Sequence, residues 1–148
     1  MRDELLYDKT ADYHGRKKIL DLSARLKIAQ EHPEAAFVSI HMNTYPLESC
    51  HGLQVWYSPN DPASLSLASE IRESARTLLD PKNDRALKCA GSSIYLLQNI
   101  QSPAVLVECG FLTNPAEAER LAEREYQQMI ALSIFLAIVR AEFDTQEA

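Results

Sequence analysis

His41 and Glu108 each follow a short apolar run, the pattern of a β-strand that delivers a side chain to a site. His41 comes after residues 35–40 and Glu108 after residues 104–107. Ligands and catalytic groups gather at the carboxyl ends of strands in open α/β sheets, so we expect the imidazole and the carboxylate to lie together. This pair suits a metal ligand and a general base. A structural histidine and a solvent-facing glutamate are the alternative interpretation.

The three cysteines, Cys50, Cys89 and Cys109, offer a second chemistry. Their odd number and the lack of a CxxC spacing argue against a disulfide framework and a cysteine-rich zinc site. Small, buried or half-buried apolar residues are the simpler interpretation. Cys109 follows Glu108 directly, so a thiol nucleophile with His41 as its base is an alternative. Nothing in the sequence supplies an orienting third group or a setting that lowers the thiol pKa.

The elements that must position these residues alternate along the chain. The predicted helices cover residues 16–32, 62–79 and 125–143, with one more after the N-cap Asn114. The predicted strands cover residues 35–40, 53–57 and 104–107, with a short one at residues 93–97. This alternation predicts an α/β sheet with helices on both faces, in which residues 35–40 form a buried parallel strand. The last helix is apolar nearly all round, which predicts burial on more than one side.

Length and composition set the class of protein. A chain of 148 residues with 46% apolar side chains is expected to form a single domain, residues 1–148. Its net charge of −6, with scattered basic residues, argues against nucleic-acid binding. The longest nearly unbroken apolar run, residues 129–139, is short of the roughly 20 residues of a transmembrane helix. The first residues contain no export signal, so we expect either a cytosolic protein or a missing start.

Three segments resemble the zinc-dependent N-acetylmuramoyl-L-alanine amidases of the bacterial cell wall. Residues 37–43, around His41, resemble the second-histidine motif of that family, and residues 52–58 resemble the strand that follows it. Residues 104–114 resemble the segment that bears the catalytic glutamate. The segments occur in the family's order, and the resemblance extends over about residues 16–143. The sequence of these segments is similar to that of the branch of the family that is active in spore-cortex maturation.

The resemblance implies a zinc ligand at His41 and the catalytic acid/base at Glu108. It also implies two further ligands, a histidine in a glycine-rich loop and a glutamate on the family's first helix, and this sequence has no counterpart of either. We therefore expect the zinc amidase fold without its N-terminal part, the chain being the C-terminal portion of a catalytic domain. His14 and His51 flank turns and His32 ends a helix, so a replacement ligand among them is not favoured.

Three other polar residues are candidates for substrate binding. Asn43 could donate a hydrogen bond to substrate, or hold the loop after His41. Arg85 and Lys88 precede the short strand and could meet the carboxylates of a peptidoglycan stem peptide. A solvated face is the alternative for these two basic residues.

The function implied by the resemblance is hydrolysis of the amide bond between N-acetylmuramic acid and L-alanine in peptidoglycan by a zinc-activated water. The substrate implies a place outside the membrane, extracellular or at the cell wall or periplasmic side. The alternative is an inactive remnant, or a peptidoglycan-binding module of the same fold. A sheet without its N-terminal strands is also expected to expose apolar surface, through which the chain could self-associate.

Overall fold

The computed structural model describes residues 17–144, which form five helices and four strands. In chain order they are α1 (Lys17–Glu31), β1 (Phe37–Asn43), β2 (Gln54–Tyr57), α2 (Ala63–Leu78), β3 (Lys88–Cys89), α3 (Tyr95–Asn99), β4 (Ala104–Phe111), α4 (Pro115–Ala122) and α5 (Arg124–Asp144). All the predicted helices are confirmed, as are the predicted strands at residues 35–40, 53–57 and 104–107. None of the described helices is long and apolar enough to cross a membrane.

The strands form one mixed sheet in the order β1-β4-β2-β3. β1 runs parallel to β4, and β2 runs antiparallel to β4 and parallel to β3. The central strand β4 therefore has a neighbour on each side, which explains its apolar sequence. Val105 and Val107 in this strand are fully buried, and burial of such a side chain contributes about 1.5–3 kcal/mol.

Successive side chains of each strand point to opposite faces of the sheet, which gives the molecule two apolar clusters. Val55, Val105 and Val107 face α2 and α5 in the larger cluster. Trp56 and Leu106 lie in the smaller cluster, with side chains from α1 and α3. The expectation of helices on both faces is therefore confirmed.

Residues 93–97 are not the strand that the sequence predicts. The chain turns into the short helix α3, and the strand beside β2 is β3, at Lys88–Cys89. Leu97 and Ile100 are 0% and 1% exposed. Their spacing of three residues lets one turn of helix place both side chains against the sheet. Burial of this pair has outweighed the weak strand pattern.

Two surfaces expected to be buried are exposed. β1 has a neighbour on one side only among the described strands, and its Ile40 and Met42 are 56% and 47% exposed. α5 is also not buried on more than one side: Ile134 faces the core, whereas Leu132 and Phe135 are 47% and 60% exposed. Both predictions were wrong because an apolar sequence was equated with burial, which requires a covering element.

Candidate active site

The sheet brings three polar side chains into one row across neighbouring strands. In the strand register, His41 of β1 is paired with Glu108 of β4, and Glu108 is paired with Gln54 of β2. By the alternation of side chains along each strand, the row lies on the face covered by α1 and α3. The expected meeting of His41 and Glu108 is thus confirmed.

Both residues lie within their strands, whereas the apolar runs predict strands that end just before them. β1 continues to Asn43 and β4 to Phe111. Pairing of backbone groups does not require apolar side chains, so the ladder extends beyond the apolar runs. The β1–β4 register is irregular between His41 and Asn43, and such irregularities re-aim side chains next to functional sites.

Glu108 has the environment of a proton acceptor. Its side chain is half-buried, and its Oε2 atom is buried without a hydrogen bond to any described residue. Burial raises the pKa of Glu108, and the neighbouring His41 partly offsets this effect. A carboxylate without hydrogen bonds to its charged form takes up a proton more readily than one that is held by donors.

His41 is exposed, and its Nε2 lies 2.7 Å from the Ser39 hydroxyl. Both residues line a cavity of about 210 Å³ between the sheet and α3. A second, larger groove of about 440 Å³ follows the free side of β1 and also reaches His41. The His41 imidazole is therefore open to solvent at the edge of the sheet that β1 forms, away from β4 and β2.

The described residues do not make a complete metal site. No group of three His, Cys, Asp or Glu side chains in residues 17–144 could hold a metal ion, and a catalytic zinc normally has three protein ligands. His41 and Glu108 are two donors at most. His32 pairs with Glu34 and His51 with the Ser49 carbonyl, and His14 lies outside the described residues.

Arg85 and Lys88 lie at the other end of the row. With Gln54 they line a polar cavity of about 400 Å³. Arg85 is half-buried, and its guanidinium lies 4.5 Å from the centre of the Phe111 ring; Lys88 is exposed, and its ammonium lies 4.8 Å from the centre of the Trp56 ring. Each cation therefore lies against an aromatic ring.

Asn43 has a structural role. Its Oδ1 accepts a hydrogen bond of 2.8 Å from the Thr44 backbone N–H, and its carbonyl accepts one of the same length from Leu112. The bond from Leu112 ties the end of β1 to the segment that follows β4, whereas the bond from Thr44 is local to the end of β1. Hydrogen bonding to substrate remains a prediction for the Nδ2 amide.

Cys109 is not a nucleophile. It is 2% exposed and lies in the cluster under α2 and α5, on the face of the sheet opposite to Glu108. Burial, with a smaller contribution from Glu108, raises its pKa to about 11, so the thiol is protonated at neutral pH. The alternative of a Cys109 thiol nucleophile with His41 as its base is therefore wrong. Cys50 is half-buried, and Cys89 is exposed rather than buried.

Two buried polar residues near the site, Gln54 and Glu117, are not predicted from the sequence pattern. Gln54 is 3% exposed in a strand of apolar neighbours, and a polar residue at such a position is a usable signal. Glu117 is the acid at the third position of α4, where its N–H bonds to the Asn114 Oδ1 atom. The predicted N-cap is confirmed. The side chain of Glu117 is only 9% exposed and bonds to backbone N–H groups of other segments.

The fold and the His41–Glu108 pair define an α/β protein whose site is suited to proton transfer. The sequence profile of the N-acetylmuramoyl-L-alanine amidase family matches residues 4–140. The chain therefore belongs to the N-acetylmuramoyl-L-alanine amidase family.

Relatives in this family differ in how much of their length the chain spans. The chain is 34% identical to the germination-specific N-acetylmuramoyl-L-alanine amidase of Bacillus subtilis. The match covers 86% of this chain and 53% of that protein. Against N-acetylmuramoyl-L-alanine amidase LytC of the same organism the identity is 30%, over 76% of this chain and 23% of LytC. The chain thus spans about half, or less, of these curated relatives.

Solved structures show the same fold. The CwlD amidase of Clostridioides difficile, solved in complex with the GerS lipoprotein, is 32% identical and superimposes with a TM-score of 0.88 over 95% of this chain and 71% of CwlD. The amidase AmiC2 of Nostoc punctiforme, also 32% identical, gives 0.72 over 80% of this chain and 63% of AmiC2. The predicted amidase fold is confirmed.

Proposed function

We propose that the chain is the C-terminal portion of a catalytic domain that hydrolyses the amide bond between N-acetylmuramic acid and L-alanine in peptidoglycan. Membership of the family supports this reaction. The observation that carries the proposal is Glu108, whose Oε2 is buried, free of hydrogen bonds to described residues, and beside His41. A structural glutamate at this position would be expected to have a hydrogen-bond partner.

Glu108 acts as general base and then as general acid. Its carboxylate takes a proton from the water that attacks the amide carbonyl. The protonated carboxyl then donates to the nitrogen of L-alanine as the carbon–nitrogen bond breaks, so the products are a carboxyl on the muramyl lactyl group and a free amine. A pKa raised by burial makes the carboxylate a stronger base for the first step.

Zinc is the proposed cofactor, with His41 as one ligand. A bound zinc ion polarises a carbonyl and lowers the pKa of a water ligand. The described residues do not fit a whole zinc site, so the remaining ligands would have to come from outside residues 17–144. We therefore assign no step of the reaction to the metal in this chain.

Arg85, Lys88 and Asn43 are the proposed contacts for substrate. The two cations line the same polar cavity as Gln54, the residue that is paired with Glu108 in the strand register. There they would pair with carboxylates of the stem peptide. The guanidinium forms the more directional pair because its planar donors match a carboxylate. The proposed partner is therefore peptidoglycan, acted on outside the membrane at the cell wall or spore cortex.

The proposal is tested on a completed domain, in which segments of the Bacillus subtilis germination-specific amidase that this chain does not match are joined to it. Incubated with purified peptidoglycan, the completed domain should release free amino groups and no new reducing sugar ends. New reducing ends would indicate cleavage of the glycan. Binding to peptidoglycan without release of amines would favour the rival function, a peptidoglycan-binding module or inactive remnant.

Self-association of the chain alone is expected at the free side of β1. Ile40 and Met42 are exposed along this edge, with which no described strand pairs, and a sheet edge with apolar side chains is an association site. Sedimentation should show larger species as concentration rises, with binding of a hydrophobic dye, and Ile40→Lys should weaken both. Leu65→Lys is the control, because Leu65 is an exposed apolar residue of α2, 46% accessible. A dye-silent monomer at high concentration would contradict the expectation.

A further inference from the structure

The carboxylate of Glu117 joins two segments that are distant in sequence. It is 9% exposed, and its two oxygens accept separate backbone hydrogen bonds: Oε1 from Gly52 at 2.8 Å, and Oε2 from Phe111 at 2.7 Å. Gly52 precedes β2 and Phe111 ends β4. Because both oxygens have backbone partners, the side chain is not offered to a substrate, and its effect must pass through these two segments.

Two glycines keep these segments clear of neighbouring polar side chains. A Cβ atom at Gly110 would lie 3.2 Å from Glu117 Oε2, so a side chain there would crowd the carboxylate. Gly52 has φ +93°, a conformation that favours glycine, and a Cβ atom there would lie 2.9 Å from Asn83 Oδ1. The backbone is therefore built to bring both segments close to Glu117 and Asn83.

Residues of both segments contact the Arg85 side chain. The Phe111 ring lies under its guanidinium at 4.5 Å, and the carbonyl of His51, next to Gly52, accepts a hydrogen bond from its Nε. Asn83 accepts a 3.1 Å hydrogen bond from the Arg85 backbone N–H. Phe111 thus contacts one face of the guanidinium, and His51 binds one edge of it. Phe111 is itself hydrogen-bonded to Glu117, and His51 is next to Gly52, which is hydrogen-bonded to Glu117.

We propose that Glu117 is a positioning residue for Arg85, and that it presets the guanidinium for a carboxylate of the stem peptide. This inference rests on the proposed function for the identity of the ligand, but not for the placement of Arg85. An arginine whose side chain is already ordered loses less rotamer entropy when it binds. Glu117 therefore acts on substrate affinity through Phe111 and His51, without contact with substrate.

The test is Glu117→Gln in the full chain. A glutamine has one carbonyl oxygen, so one of the two buried N–H groups loses its acceptor. The Arg85 Nε–H signal in a ¹⁵N spectrum, assigned by its loss in Arg85→Ala, should move toward the position of a solvent-exposed arginine. The dissociation constant for N-acetylmuramyl-L-alanyl-D-glutamate should rise about tenfold, and that for its uncharged diamide should stay the same.

Ser64→Ala is the matched control. The buried Ser64 hydroxyl accepts a hydrogen bond of 3.0 Å from the Ala104 N–H, at the other end of β4. Its removal also leaves a buried backbone donor of this strand without an acceptor. Stability should fall as in Glu117→Gln, but the Arg85 signal and the affinity for the acidic peptide should not change.

An unmoved Arg85 signal in folded Glu117→Gln would overturn the inference and leave Glu117 a structural role. If Glu117→Gln does not fold, Phe111→Leu replaces it, because this variant removes the ring and keeps the carboxylate. An unmoved signal there would equally overturn the inference. If Arg85→Ala binds the acidic peptide as the wild-type chain does, the proposed substrate contact fails, and the Arg85 signal alone decides on Glu117.

Discussion

Glu108→Gln in the completed domain is expected to reduce release of amino groups from peptidoglycan by about 10²- to 10⁴-fold, the usual contribution of a positioned acid/base group. Glutamine keeps the size of the side chain, and its amide can neither take a proton from water nor return one to the amine. Steady-state rates on purified peptidoglycan measure the effect. Glu119→Gln, the same change at an exposed position of α4, should leave the rate unchanged.

The same variant should be more stable than the wild-type chain at neutral pH. Burial raises the pKa of Glu108 above its ordinary value of 4.5, so the folded state favours the protonated carboxyl. The stability that this gives is complete below pH 4.5 and is lost as the pH rises through the folded pKa. Glutamine does not ionise, so the difference in unfolding temperature should be positive at pH 7 and vanish below about pH 4.5.

Loss of activity together with equal or greater stability would assign Glu108 to the chemistry, since an unfolded variant would lose both. Wild-type turnover by the glutamine variant would remove Glu108 from the mechanism. A fall in stability at pH 7 would show that the carboxylate has a favourable partner in the fold, contrary to its buried Oε2, which has no hydrogen bond to any residue in 17–144.

The fold could be predicted where the sequence pattern reflects local geometry. The Asn114 cap and the periodicity that predicts a helix at residues 16–32 act within one or two turns, and α1 and α4 begin close to the predicted positions. The pairing of His41 with Glu108 followed from a topological rule about strand ends. These features depend on neighbours in sequence or on a general property of parallel strands.

The features that could not be predicted depend on what covers a surface. Phe135 and Ile40 have the same apolar character as core residues, and only the packed structure shows that they are exposed. The role of Glu117 was hidden for the same reason, because its partners Gly52 and Phe111 come together through the sheet. The spacing of residues along the sequence does not predict a contact between two residues that are 65 positions apart.

The chain alone is expected to hold far less than one zinc ion and to release no amino groups from peptidoglycan. His41 and Glu108 supply two protein ligands where a catalytic zinc normally has three. With a ligand missing, affinity should fall to that of adventitious surface binding. The result is measured by elemental analysis of protein prepared without a histidine tag and dialysed against buffered zinc, together with the amine-release assay.

The completed domain supplies the contrast that makes this result interpretable. It should retain one zinc ion per chain under the same dialysis and lose it in His41→Ala, because that variant removes a ligand from a full set. In the chain alone, His41→Ala should change nothing. One tightly held zinc per chain that is lost in His41→Ala would mean that His14, His51 or a second chain provides the other ligands. The deficit in ligands inferred from residues 17–144 would then be wrong.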